Sequence, residues 1–404
     1  MQNFYFTLVA FLFFAIDCFS QGVWTQKTDY AGGNTNYAVG FSIGTKGYIG
    51  TGRDSTFATT NSFWEYDPAG DSWMQRADFG GVARGGAVGF SIGSKGYIGT
   101  GVTSSSVFLN DFWEYDPGLN SWTPRANFAG TPRHYATGFS IGSKGYIGTG
   151  DTTASSDYVK DFWEYDPIGD TWTPIALFPG LGRGPAVGFS IGTKGYFGTG
   201  NDEISDLPSR DFWEYDPASN SWTQKANIPM GKCAATGFSL GGKGYIGTGV
   251  DSIPPMFLMS IDFWEYDPLF NTWTQKTDFG GTARKHAVAF AIGTKGYLGT
   301  GYGTKDFWEF DPNGVGINEL KEEISVSVYP NPMIESSTIQ TTFSSNKKTL
   351  LQFELYDLTG KKVRSVVLEN SDYKLNRNQL SSGTYIYNVL SENKMISKGK
   401  LIIQ

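Results

Sequence analysis

The chain has little cysteine, little histidine and little charge. Its 404 residues include two Cys and two His, and Asp, Glu, Lys and Arg make up 18% of the total. Cys18 lies in an N-terminal apolar segment, and its removal would leave Cys233 alone, which excludes an internal disulfide framework. Cys233 then reads as a small buried hydrophobe rather than a nucleophile. Two histidines, His134 and His286, without nearby Cys make a poor metal site, so no metal and no cofactor are expected. Basic charge is also short where it would matter. Residues 21–312 hold 21 Lys/Arg against 29 Asp/Glu, a net of −8, which argues against binding a phosphate backbone. Nucleic acid is therefore not an expected partner.

Long apolar runs are missing beyond the first twenty residues, MQNFYFTLVAFLFFAIDCFS. That segment reads as a secretory signal ending before Gln21, although its start lacks the usual Lys or Arg. A membrane anchor is the alternative, but the run from Phe4 to Ile16 is short for a span. The mature chain is thus expected to have no integral membrane span.

What is abundant is aromatic and glycine. Aromatics are 16% and Gly contributes 53 residues, a β-rich composition with glycine turns. The stretch DFWEYDP begins at Asp111, Asp161, Asp211 and Asp262, with variants at Ser62 (SFWEYDP) and Asp306 (DFWEFDP). Its Phe falls at 63, 112, 162, 212, 263 and 307, giving intervals of 49, 50, 50, 51 and 44 residues. Each copy sits in a longer unit, here AVGFSIGSKGYIGTG, a variable loop, then DFWEYDPGLNSWTPRANF. Four strands can be read from it: an inner AVGFSI, a KGYIGTG, the alternating DFWEYDP, and a fourth starting at SWTPRA. Four strands about every 50 residues, with glycine turns, predict a β-propeller.

The Tyr-Asp-Pro after the third strand, the Trp of the fourth and the glycine-rich second strand resemble the kelch family over residues 22–312. One departure is Gly-Thr-Gly, as at Gly99-Thr100-Gly101, where the family has a Gly-Gly doublet. The resemblance implies an all-β, six-bladed kelch-type propeller over 21–312. After Asp311-Pro312 the last unit stops before any fourth-strand Trp, whereas the mature chain opens on GVWTQKTDY. Strand 22–29 should therefore complete the sixth blade and hide two sheet edges.

Two readings compete for the carboxylates of the motif, such as Glu114 and Asp116. Catalysts need a distinct partner and a perturbed environment. Sixfold repetition favours structure, with each Asp capping a turn and each Glu pairing across its sheet. The segment GYIGTG is not a phosphate loop, because no helix follows it. Function is expected where the copies differ, in the second-to-third loops on one face of the disc. On that face Thr35, Arg84, Arg133, Arg183, Lys232 and Arg284 precede the inner strands. These five cations would either ring the channel mouth as an anion site or pair with a neighbouring blade's carboxylates. His134 and His286 flank them in opposite blades. Related propellers include a copper-radical galactose oxidase and a sialic acid epimerase. The former's Cys-linked Tyr and paired His are not assembled from Cys233. An epimerase-like enzyme acting on an acidic sugar, or a structural surface-layer component, stands as the alternative to a module binding a protein or glycan.

Residues 313–324 read as a linker, and 325–404 as a small Ig-like β-sandwich of alternating strands. Tyr329-Pro330-Asn331-Pro332, ELYDLTGKKV, LSSGTYIY with Gly383 and Tyr385, and Lys398-Gly399-Lys400 resemble the type A C-terminal sorting domain of the type IX secretion system of Bacteroidetes. That resemblance implies export to the outside or surface of a Gram-negative cell, with the secretion machinery as a partner. It also implies a tail that is usually cleaved, leaving the cargo released or attached to surface lipopolysaccharide.

Overall fold

A computed structural model describes residues 21–404 apart from 153–157, 203, 205–206, 254–255, 315–323, 344–350, 369–370 and 392–393. The N-terminal segment 1–20 and most of the expected linker lie outside the described residues. The chain divides into two compact units, 1–315 and 316–404.

The first unit is built from six four-stranded antiparallel sheets. In the second copy the strands are Val88–Ile92, Lys95–Gly99, Phe112–Asp116 and Ser121–Arg125. A two-residue turn joins the first pair, and Gly93 at φ 59° supplies the left-handed residue it needs. The sixth sheet has the order 23–27, 307–311, 295–299, 288–292. Val23–Lys27 pairs in register with Phe307–Asp311, so the chain's beginning closes the ring as the missing Trp requires.

The cores lie between blades rather than within them. Phe63 stacks on Tyr48 of its own sheet at 5.5 Å and meets the edges of Tyr115 and Trp122 of the next at 4.9 and 5.0 Å. Phe112 does the same with Tyr165 and Trp172. At the seam Trp24 packs on Phe263 and Phe279, both at 5.0 Å. Each such ring pair adds about 0.5–1.5 kcal/mol beyond burial. The indole of Trp122 donates to the Ala77 carbonyl of the preceding blade, and Trp172 to that of Ala126. Trp24 repeats this bond to Thr277 across the closure.

Around the axis the inner strands of five blades contribute Ala-Val-Gly or Ala-Thr-Gly and the sixth Ala287-Val288-Ala289, lining a cavity of about 170 Å³. A Cβ at Gly89 would sit 2.8 Å from Val39 Cβ, and one at Gly138 2.1 Å from Val88 Cγ1. At these two positions the neighbouring inner strand is too close for a side chain, whereas the sixth blade carries Ala289 at the equivalent place.

The second unit is a sandwich of two antiparallel sheets, one of three strands and one of four. Its core gathers Met333, Ile339, Phe353, Leu355, Val389 and Leu401. Among the described residues no helix is long and apolar enough to cross a membrane.

Candidate functional site

All three carboxylates of the repeated motif have structural partners. In the second blade Glu114 accepts from Tyr97 Oη at 2.7 Å and from Arg125 at 2.9 Å. Asp116 accepts the Gly118 amide and pairs with Lys95, holding the turn before the fourth strand. That Lys–Asp pair recurs in every blade, from Lys46–Asp67 to Lys295–Asp311. Asp111 receives both Arg84 nitrogens at 2.6 and 2.7 Å and the Trp113 indole at 2.8 Å.

This last bond set bears on both readings of the five cations, favouring ion pairs over a ring at the channel mouth and correcting which blade supplies the carboxylate. Arg84, Arg133, Arg183, Lys232 and Arg284 are fully or almost fully buried, and none faces the channel. The arginines grip Asp111, Asp161, Asp211 and Asp306. These are carboxylates of the same blade, not of a neighbour. Each guanidinium also lies on a ring from the segment before its own blade, Arg84 on Phe79 at 4.7 Å and Arg133 on Phe128 at 4.8 Å. Burial opposes ionisation of Asp111, Asp161 and Asp306, but the guanidinium bonds outweigh it and hold each carboxyl below its ordinary range. A charge pair this dry needs both members, because removing one strands the other. Where the fifth blade has Lys232, the neighbouring aromatic is replaced by Ile228, and the ammonium is shared by Asp251 and Asp262. In the first blade both members are gone together, Thr35 for Arg and Ser62 for Asp, and the Trp64 indole is left without a hydrogen-bond partner.

What faces the mouth is the position two residues after Thr35 and each of the five cations: Tyr37, Gly86, Tyr135, Pro185, Ala234 and His286. All but Pro185 have φ between 51° and 62°. That backbone lets Gly86 donate to the Tyr37 carbonyl, Tyr135 to that of Gly86, Ala234 to that of Pro185 and His286 to that of Ala234, at 2.9–3.1 Å. Left-handed residues with a side chain cost about 1–2 kcal/mol each, offset here by hydrogen bonds between blades. The backbone repeats while the side chains do not. Tyr37 lies 4.1 Å from His286 and 5.6 Å from Tyr135, while Tyr135 stacks on His286 at 5.7 Å. Burial, with Lys285 adding to it, pushes the His286 pKa down to about 3, so the ring is neutral.

His134 occupies a different register, one residue after its Arg. The two histidines therefore do not flank a cation ring. They are linked through Tyr135, whose ring lies 4.0 Å from His134. On its other side His134 meets Phe108 at 4.8 Å. Its Nδ1 is 3.9 Å from Asp151, beyond hydrogen-bond reach, and has no other partner. Burial lowers its pKa, with the Asp151 charge opposing. These groups and Arg53, Val102 and Ser106 line an off-axis cleft of about 440 Å³. Among the described residues no three His, Cys, Asp or Glu side chains gather as a metal site would need.

The cleft is walled by second-to-third loops that are more ordered than their sequences suggest. Arg53 bridges both Asn36 and Thr59, Val102 both Gly85 and Phe108, and Asp151 both His134 and Tyr158. Phe57, Val107, Ile204, Leu258 and Tyr302 stand exposed on this face. The opposite face is less uniform than its repeated turns imply, since Leu119, Ile168, Leu269 and Phe270 are exposed at turn tips. Sequence reasoning missed Tyr37, Tyr135, Arg53, Phe108 and Asp151. The available signal was that the mouth position never repeats inside an otherwise regular unit.

In the second unit the candidate sorting residues converge. The Asn331 amide donates to the Lys400 carbonyl at 2.6 Å and accepts the Ile402 amide at 2.9 Å. Pro330 accepts from Ser337, Met333 joins the final strand through Ile402, and Pro332 lies between Asn331 and Met333. Tyr385 donates to Ser381 just ahead of Gly383. Gly399 leaves room for the Tyr387 ring, whose Oη would lie 2.3 Å from an added Cβ. Tyr329, Lys398 and Lys400 are exposed.

Residues 327–404 match the family model described as a secretion system C-terminal sorting domain. The tail therefore sends the protein to the cell surface through the type IX system. A solved structure titled "Structure of YjhT" is similar with a TM-score of 0.58 and 16% identity, covering 70% of this chain and 96% of that one. This likeness supports the propeller fold. Comparison with curated proteins gives no match.

Proposed function

We propose that the propeller is an extracellular binding module that holds a protein or glycan through its variable-loop face. The observation that carries this reading is the one-sided break in the repeat. The mouth residues, the cleft and the second-to-third loops all differ between blades on one face, whereas ion pairs repeat sixfold at the other. Variable loops on a rigid scaffold are where binding residues concentrate. We also assign the propeller to the kelch type, on its Tyr-Asp-Pro and fourth-strand Trp positions, and the chain to a Bacteroidetes cell, on its sorting tail.

An enzyme acting on an acidic sugar at the channel mouth has less support. The five cations that would hold the acid are used by their own aspartates, and the mouth polar groups are stacked on one another. A surface-layer component would use the repetition itself, which leaves the irregular face without a role. The full chain should be screened on a glycan array and by pull-down from the organism's surroundings. Saturable capture of one ligand class supports the reading. No capture in either screen counts against it.

A further inference from the structure

The propeller has eight arginines, at 53, 76, 84, 125, 133, 183, 210 and 284. Six of them pair with a carboxylate, and Arg210 donates to the Ile228 carbonyl. Arg53 does neither. Among the described residues no carboxylate lies within 4.0 Å of its guanidinium, and only its backbone makes hydrogen bonds. Its guanidinium sits 5.9 Å from the centre of the Tyr37 ring, at the edge of the off-axis cleft.

Space for that arginine is provided by one irregularity. Where other blades carry Asn36-Tyr37 or His134-Tyr135, the second blade has Gly85-Gly86. A Cβ at Gly85 would stand 3.1 Å from Arg53 Cγ, and one at Gly86 3.1 Å from the Tyr135 ring. The double glycine thus leaves a hollow with an unpaired cation beside the rings of Phe108, His134 and Tyr135, and the Asp151 carboxylate that also lines it lies more than 4.0 Å from the guanidinium. Its volume of about 440 Å³ falls within the range of roughly 300–1,000 Å³ usual for small-ligand clefts. A planar guanidinium is suited to hold a carboxylate through two parallel bonds, and the neighbouring rings suit a flat or apolar ligand face.

We propose that this cleft, bounded by blades one to three, binds a compact carboxylate carrying a ring, with the acid group on Arg53 and the ring against Phe108. The inference deepens the loop-face reading and rests on it, placing the small-ligand site off the axis. An acidic sugar and an aromatic acid share this chemistry.

Calorimetric titration of the full chain separates them. Glucuronate is compared with glucose, and phenylacetate with benzyl alcohol. At least one acid should bind at least tenfold more tightly than its neutral counterpart, and which one does so names the source. Arg53→Gln should weaken that acid at least tenfold and Phe108→Ala several-fold, with the melting temperature unchanged, while Lys305→Gln elsewhere on the face should have no effect. Acids that bind no better than their neutral counterparts, or an Arg53→Gln chain that binds as wild type, would overturn the proposal. If neither acid binds but the loop face still captures a macromolecule, this inference falls and the binding function stands.

Discussion

The two faces of the propeller are made by the same six blades, yet they follow different rules. On the turn face, each blade repeats one Lys–Asp pair and one capped turn. On the loop face, the backbone repeats down to its left-handed residues, but the side chains on it change from blade to blade. The contrast teaches that symmetry here belongs to the hydrogen-bonded frame. Buried Arg–Asp clamps fix the base of the loop in four blades and Lys232 does so in a fifth, so the tips can vary without disturbing the core.

The largest effect should come from opening the frame itself. Deleting Gly22–Asp29 removes the strand paired with Phe307–Asp311 and the Trp24 contacts, and should sharply lower the melting temperature, as read by circular dichroism. An unchanged midpoint would mean that the ring does not depend on this closure.

Next in size is the clamp. Asp161→Ala leaves Arg133 buried and unpaired and should cost about 3–5 kcal/mol in denaturant unfolding. Arg133→Thr combined with Asp161→Ser copies the first blade and should recover most of that loss. A double variant no better than the single one would show that Thr35 and Ser62 are tolerated only in their own blade.

A smaller effect is tied to pH. His286 is held neutral, so between pH 6.5 and about 3 the unfolded chain binds the proton that the folded chain refuses. Stability should therefore fall as pH drops from 6.5, by about 2 kcal/mol at pH 5. The clamp carboxylates, whose pKa values are depressed, lose their contribution only at lower pH. Thermal melts of His286→Tyr, which installs the residue found at 37 and 135, should show a smaller loss above pH 5, the remainder belonging to His134, whose pKa burial also lowers.

The smallest effect is expected on the turn face. Its Lys–Asp pairs are solvent-screened, so Lys144→Met should leave the melting temperature and ligand capture unchanged.

Much of the frame was legible in the sequence. Six copies of DFWEYDP count the blades, and a missing fourth-strand Trp beside an orphan Trp24 shows the closure. That the cations pair with carboxylates was one of two readings the sequence offered, but the carboxylate's place in the same blade was not legible. An arginine just before an inner strand looks as though it should face the axis, but its side chain turns into its own blade toward an Asp 22 to 28 residues later. The pairing was nonetheless written in the exceptions, since Thr35 and Ser62 depart from the pattern in the same copy. The cleft was hidden for a different reason. Its walls come from three blades, and no single repeat contains the Arg53, Phe108 and His134 that meet there.

The central claim is that binding belongs to the irregular face. Once a ligand is captured, its affinity should be measured for two triple variants of the full chain. Phe57→Ser, Phe108→Ser and Leu258→Ser strip the loop face, while Leu119→Ser, Leu269→Ser and Phe270→Ser strip the turn face. Loss of at least tenfold with the first set and none with the second is the predicted result. Loss confined to the second set would contradict the assignment.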